Sequence, residues 1–444
     1  MRMRNKLWIL GVLILMITIS CYDDKGNYSY QDPDSVLPLE IDGLPKDTSF
    51  MLFSEVELTP KITGIENEDD FQFTWYTYQL YASGFIPQRD TLAKTKDLSF
   101  IMEYPAGNQY QLVFEAKEKK TGLAIQKKIL MRVTSEYSQG WFILEDENGM
   151  TDMDFILEDG TVRENLLTER LGERMKGEAL KLVYMNGRYT DEEVAEDGTV
   201  TILESLQALH ILTTQDMKTL NPGNLSVLKN FDEEFYNVPS VAAPQNMDAS
   251  GGDIVLINAG RLHSLYGMSN NVGKFGVGKT GPGELASDML FHAYAYTYAM
   301  LFSRETKSFV MGGSSSESDK VQEFLPEDGG KVGVSTSNMD KDLICMLQRT
   351  WASSVTKGWA LMRGINDPEK FYLADIAFSG QSYPLVDFDE ISSERGLCHA
   401  DVYGAHQNNS IIIRKMHRIW NLWKHSFMSS RQGKRLLLYS KRNY

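Results

Sequence analysis

From Gly140 onward one pattern recurs: an apolar strand, a polar turn, then a second apolar strand. GWFILEDENGMTDMDFI opens at Gly140, ALHILTTQDMKTLNP at Ala208, DIVLINAGRLHSLYG at Asp253, TYAMLFSRETKSFVM at Thr297 and GWALMRGINDPEKFYLADI at Gly358. A weaker copy, ADVYGAHQNNSIIIR, opens at Ala400. The copies start roughly 40–50 residues apart, with two longer gaps, which is the spacing of propeller blades. A small sheet cannot bury its two faces alone, so such units must pack against one another. Gly-Trp opens both the first and the fifth copy, which supports true repetition. The pattern predicts a β-propeller-like domain over residues 140–410.

Residues 37–135 read as a separate all-β unit. Short strand-like runs recur with turn signals between them: VELTPKI (56–62), FQFTWYTY (71–78), LSFIMEY (98–104), YQLVFEAKE (110–118) and AIQKKILMRV (124–133). Six or seven such strands in about 100 residues suit one β-sandwich, and Trp75 takes the place of the buried tryptophan of immunoglobulin-like sandwiches. The fold class expected for the chain is therefore all-β, an N-terminal immunoglobulin/PKD-like sandwich followed by a propeller-like domain.

The N-terminus carries an address. Arg2, Arg4 and Lys6 precede an apolar run from Leu7 to Ile19, and Ser20 stands directly before Cys21. The run is shorter than the roughly 20 residues that span a bilayer and has the length of a signal-peptide core. Residues 1–20 are expected to be a lipoprotein signal peptide, and Cys21 the lipidated residue that anchors the chain. Thr18 stands where Leu is commoner in such a signal. Residues 21–36 are polar and read as a flexible tether. The formal charge is -15, which argues against nucleic acid as a partner because phosphate binding needs a basic surface. The far end departs from this. After Asp401 there is no acidic residue, while Arg414, Lys415, Arg418, Lys424, Arg431, Lys434, Arg435, Lys441 and Arg442 are basic. The repeat dissolves near Ile411, so 411–444 is read as an atypical basic tail and the last blade as incomplete. A basic amphipathic helix over RKMHRIWNLWKHSF is the other reading.

Few constellations carry chemistry. Gly273 to Thr280 matches the phosphate-loop pattern G-x-x-x-x-G-K-[ST]. That loop needs a strand before it and a helix starting at the Lys-Thr. Here a polar loop precedes it, and Gly281-Pro282-Gly283 opposes a helix, so no nucleotide is expected. His210, His263, His292, His399, His406, His417 and His425 form no zinc spacing, so no metal site is nominated. Cys345 and Cys398 are each a core residue or, paired, a disulfide. The Asp-Gly turns after Glu158, Glu196 and Pro326 are hairpin turns first; structural calcium is their other use. No carboxylate pair can be singled out among 60 acidic residues for glycosidase chemistry. Tyr294, Tyr296 and Tyr298 alternate along one strand, and Trp351 and Trp359 lie in another; ligand stacking and core packing explain them equally. No catalytic or ligand-binding residue is assigned.

One resemblance is specific. CYDDKGNYSYQD after the lipidation site, the single sandwich, the junction TSEYSQGWFILEDENGMTDMDFI and the strand pair DIVLINAGRLHSL resemble the PKD-like lipoproteins of Bacteroidota over roughly residues 21–405. The tail departs from that pattern. The resemblance implies that Asp23 and Asp24 act as an export signal to the outer face of the outer membrane. It also implies association with a SusC/SusD-type nutrient importer. The expected function is non-catalytic capture of a peptide or glycan at the cell surface. A surface hydrolase with its site in the propeller channel, and an adhesion or scaffolding protein, are the alternatives.

Overall fold

The computed structural model describes residues 39–80, 89–106, 108–250, 253–265, 273–293, 297–313, 319–324, 335–350, 355–379, 385–400, 402–406, 410–414 and 435–441. The chain is all-β, with one six-residue α-helix at Leu166–Leu171 and three short 3-10 turns among those residues. The leader, Cys21, Asp23, Asp24 and the tether lie outside them.

The first unit is a sandwich. Its large sheet runs in the order Asp47–Met51, Ala124–Thr134, Gln109–Glu118, Phe71–Gln79, Asp90–Ala93. The edge strand Asp47–Met51 lies parallel to Ala124–Thr134, and the other neighbours are antiparallel. Two strand pairs complete it: Glu55–Leu58 with Leu98–Ile101, and Glu40–Asp42 with Lys61–Thr63. The run VELTPKI is therefore not one strand. Pro60 lacks an N–H for a ladder, and the chain changes partner across it. Ile41, Val56 and Leu98 from these pairs share one core with Trp75, Phe114, Leu112 and Met131. Trp75 is fully buried, packs at 4.7 Å against Phe114, and donates its indole N–H to Lys96 O at 2.9 Å. A buried indole without that acceptor would be costly.

The second unit is a succession of antiparallel sheets, each formed mainly from consecutive strands. In the first, Arg435–Lys441, Gly140–Glu147, Met150–Leu157 and Val162–Arg163 lie side by side. The second holds Ala179–Val194, Val200–Thr213, Met217–Leu220 and Val227–Asn230; the third Pro244–Ser250, Asp253–Asn258 and Arg261–Leu265. The fourth holds Leu290–Ala293, Thr297–Ser303, Ser308–Gly313 and Gln322–Glu323; the fifth Lys341–Thr350, Thr356–Gly364, Phe371–Phe378 and Leu385–Ile391. Val402–His406 and Ser410–Arg414 form the last pair. Two of these strands, Ser410–Arg414 and Arg435–Lys441, draw on the C-terminal basic stretch. The second of them joins the far end of the chain to the first sheet, in register from Gly140↔Lys441 to Asp146↔Arg435. This is propeller-like architecture, with strands from the two ends of the domain paired in its first sheet.

Burial explains the repeat. Each of the first five recurring hairpins supplies the second and third strands of its sheet, and the second strands are the most deeply covered. Asp253–Asn258 is buried at every position. Its Ile254 and Leu256 pack toward Met185, Leu212 and Met217 of the second sheet. Val255 and Ile257 pack toward Phe291, Leu301 and Val310 of the fourth. Alternate side chains thus fill two successive inter-sheet cores, so the strand reads as a continuous apolar run. The same holds between the fourth and fifth sheets, where Met300, Phe302 and Phe309 meet Met346, Met362 and Ile376. The two Gly-Trp glycines occupy equivalent second strands, and both are places of close approach. A Cβ on Gly140, whose φ is +152°, would stand 2.3 Å from Ile156 O; one on Gly358 would stand 2.5 Å from a Leu290 methyl.

Candidate functional site

An open cleft of about 620 Å³ lies where the first two sheets of the repeat domain meet. Its wall begins with a buried carboxylate. Asp152 sits in strand Met150–Leu157 with none of its side chain exposed. Its Oδ1 accepts from the backbone N–H of Met153 at 2.8 Å, Leu167 at 2.9 Å and Thr168 at 3.3 Å. Its Oδ2 accepts from the Thr168 hydroxyl at 2.6 Å, and Arg174 Nε lies 3.6 Å away. The helix Leu166–Leu171 needs this. Its cap residue Asn165 has φ +59° and makes no side-chain cap bond, so Asp152 satisfies the orphan N–H groups of the first turn from a neighbouring strand. Gly172, at φ +83°, ends the helix, and Met175–Lys176 returns the chain to pair with Met150 and Thr151.

The opposite wall comes from the turn Gln215–Asp216, from Lys218, and from Val227 and Asn230 of the outer strand. Most of the charges here are already oriented. Arg170 Nη2 reaches Glu136 and the Tyr137 hydroxyl, each at 3.3 Å. Arg174 also reaches Glu147 at 3.6 Å and Asn165 Oδ1 at 3.3 Å. Lys218 donates to Asn230 Oδ1 at 2.7 Å and lies 3.8 Å from Asp216. Burial pushes the Asp216 carboxyl above its usual range, against the pull of Lys218. Lys176 is exposed and, among the described residues, has no carboxylate within ion-pair distance.

A second polar cluster lies inside the second sheet, closed to solvent. Thr219 Oγ1 is hydrogen-bonded to Glu234 Oε1 on one side and to His210 Nδ1, at 2.6 Å, on the other. His210 Nε2 faces Met185 Sδ at 3.4 Å. Lys229 pairs with Asp191 and lies 5.0 Å above the Tyr189 ring. Among the described residues, Tyr189 OH and Glu234 Oε2 have no hydrogen-bond partner. Burial pushes the Glu234 carboxyl up to about 8 and the His210 imidazole down to about 3. Both are then neutral near pH 7. The Thr219 hydroxyl donates to Glu234 Oε1, so His210 Nδ1–H donates in turn to Thr219 Oγ1, and the proton on Glu234 sits on the unpartnered Oε2.

That neutrality sets a pH dependence. The native state keeps a proton on Glu234 that the unfolded chain releases above its ordinary 4.5, so this stability is lost as pH rises from 4.5 through about 8. The native state refuses a proton that unfolded His210 takes below its ordinary 6.5, so stability is lost as pH falls from 6.5 toward 3. The two slopes cancel between 4.5 and 6.5. Above 6.5 only the Glu234 slope remains, about 1.4 kcal/mol per pH unit. Glu234→Gln keeps the His210 slope and loses that of Glu234, so it is expected to melt a few degrees above the parent at pH 8 and within about a degree of it at pH 4.5. Melting curves that run parallel from pH 6.5 to 8 would refute a buried, proton-bearing Glu234.

The residues singled out in the sequence fall elsewhere. Gly273 to Thr280 is extended: Phe275 bridges Phe235, Lys279 N–H donates to Leu262 O at 2.7 Å, and Thr280 N–H donates to Asp319 O at 2.8 Å. No helix starts there, and Lys274 pairs with Glu192 at 2.9 Å. The motif is a packing segment over the second and third sheets. Tyr294, Tyr296 and Trp351 lie outside the described residues; Tyr298 is half-buried against Gly313, and Trp359 is buried beneath Arg349. Cys345 and Cys398 are free thiols in one apolar cluster, and burial pushes Cys345 up to about 12. Asp159 and Asp197 bond to their own hairpin turns, through Thr161 N–H at 2.9 Å and Thr199 N–H at 2.8 Å. Among the described residues no three His, Cys, Asp or Glu side chains converge as metal ligands, and no helix is long and apolar enough to cross a membrane. Sequence reading missed Asp152, Lys229 and Glu234. For Asp152 and Lys229 the one signal is a charge set inside an apolar run, MTDMDFI and SVLKNF; Glu234, in the acidic stretch FDEEFY, has none.

Residues 21–180 match the model of the PKD-like family, a span that includes the sandwich and the strands from Gly140–Glu147 to Met175–Lys176. No curated protein matches the chain. Among solved structures, a quinonprotein alcohol dehydrogenase-like protein from Bacteroides thetaiotaomicron VPI-5482 is similar at a TM-score of 0.32 and 11% identity, over 84% of this chain and 77% of that one. A likeness that distant carries no argument about activity.

Proposed function

We propose that this chain is a cell-surface lipoprotein that captures a ligand for an outer-membrane nutrient importer of the SusC/SusD type and performs no chemistry on it. In this reading Cys21 carries the lipid, Asp23 and Asp24 direct the chain to the outer face, and the sandwich stands between the membrane and the propeller-like domain. The observation that supports it is the cleft between the first two sheets. Its volume is within the ~300–1,000 Å³ range of small-ligand sites. Its walls are held by a capped helix and by mostly paired charges, which gives a binding surface fixed before the ligand arrives. Among the described residues its lining holds no histidine, serine or cysteine, and its carboxylates are Glu173 and Asp216.

Cys21→Ser is the direct test of the anchor. The variant is expected to leave the membrane fraction for the soluble one, while the parent stays and co-purifies with an importer. Undiminished membrane retention of the variant would end the lipoprotein reading, and a parent that enriches no importer would end the uptake role.

A further inference from the structure

We propose that the second sheet holds a site for one internal water molecule, between Tyr189 OH and Glu234 Oε2. Both side chains are fully buried, and among the described residues neither atom has a hydrogen-bond partner. A buried hydroxyl or carboxyl left unpaired is costly, so such atoms are met by protein or by ordered water. The site belongs to the fold and does not depend on what the cleft binds.

Thr219 brings the two groups together. Its Oγ1 is bonded to Glu234 Oε1 and it also lies beside the Tyr189 hydroxyl. Burial pushes that hydroxyl well above its usual range, Glu234 and Asp191 push it further, and Thr219 pulls it back. The sheet accounts for the meeting. Tyr189 comes from the first strand and Thr219 from the third, while Glu234 ends the turn Phe231–Glu234 that follows the fourth.

Hydrogen-bond capacity selects the guest. Thr219 Oγ1 is already engaged by Glu234 and by His210 Nδ1. The Oε2 proton of Glu234 and the hydroxyl proton of Tyr189 are then two donors, and a water oxygen accepts both. The charge of Asp191 acts on both groups, so the water's own hydrogens turn toward that carboxylate. An anion would face Asp191, and a cation would face Lys229 and two O–H protons, so a neutral molecule fits. The surroundings close the site. Met185, Leu212, Phe235 and Phe275 share the apolar cluster with Tyr189. Gly273 presses on the tyrosine ring: a Cβ there would stand 2.9 Å from Tyr189 Cε2 and 2.3 Å from Thr190 O. The segment with phosphate-loop spacing thus helps to seal this site. Water enclosed among polar partners in this way is a fixed part of a fold.

The test is a crystal structure of the detergent-solubilised full chain, grown near pH 6 and at a resolution that shows ordered water, together with melting curves of the parent and Tyr189→Phe. One water is expected within hydrogen-bond distance of both Tyr189 OH and Glu234 Oε2. Tyr189→Phe, nearly the same in shape, should melt a few degrees below the parent, because Glu234 and the water lose a partner. A hydroxyl with no partner would give the opposite sign, since its removal relieves an unpaired buried group. A direct Tyr189–Glu234 hydrogen bond, an ion at that position, a site without density, or a Tyr189→Phe variant that melts at or above the parent overturns the proposal.

Discussion

Asp152→Ala is expected to cost roughly 3–5 kcal/mol in the repeat domain, the range seen when one partner of a buried charged contact is removed. The carboxylate is fully buried and accepts from three backbone N–H groups and one hydroxyl, with Arg174 alongside. Alanine leaves the N–H groups of Leu167 and Thr168 without an acceptor in a helix that has no other cap. It also releases Arg174 from its orienting contact. Asp152→Asn keeps an acceptor oxygen but loses the charge, so it should fall between parent and alanine. Local hydrogen exchange is the sharpest readout. Amides of Leu166–Leu171 should lose protection in the alanine variant, while those of the sandwich strand Gln109–Glu118 keep theirs. Unchanged protection of the helix would show that Asp152 does not hold it. The same variant should lose whatever the cleft binds, because Arg170 and Leu171 of that helix line it.

Asp152 also shows where sequence reading runs out. The middle strands of each sheet are legible because both faces are buried, and a continuous apolar run survives any detail of packing. The flanking strands are not. Val162–Arg163 and Gln322–Glu323 are two residues long and largely exposed, so no period can form. Ala179–Val194 mixes Lys181, Asp191 and Glu192 into a strand whose neighbours, not its pattern, make it one. Arg435–Lys441 has no adjacent hairpin partner; its ladder is with a strand at the far end of the chain. The polar site is harder still. Asp152 meets Leu167 across 15 positions, Asp191 meets Lys229 across 38, and Thr219 meets Glu234 across 15. No fixed spacing marks such pairs, whereas Gly273 to Thr280 shows a familiar spacing in a segment whose backbone is simply extended.

Lys229→Met is expected to cost a similar roughly 3–5 kcal/mol, and its cause can be isolated. Lys229 is 3% exposed, and its ammonium pairs with Asp191. Asp191 is itself nearly buried and also accepts from Glu192 N–H at 2.8 Å. Methionine fills a similar volume, so the loss comes chiefly from a carboxylate left in a low-dielectric site without its cation. The double variant Asp191→Leu with Lys229→Met removes both charges. It should recover most of the stability, because a buried pair replaced by apolar groups is often neutral in net effect. A double-mutant cycle on chemical denaturation then gives the coupling directly. Additive losses in that cycle would mean that the two charges do not depend on each other. The single variant has a second consequence. Lys229 draws the Glu234 carboxyl downward and the His210 imidazole downward as well. Without it, Glu234 should hold its proton to still higher pH, and the alkaline fall in stability should extend further. The ion pair and the proton chain are therefore one unit, with Lys229 setting how strongly each half resists charge.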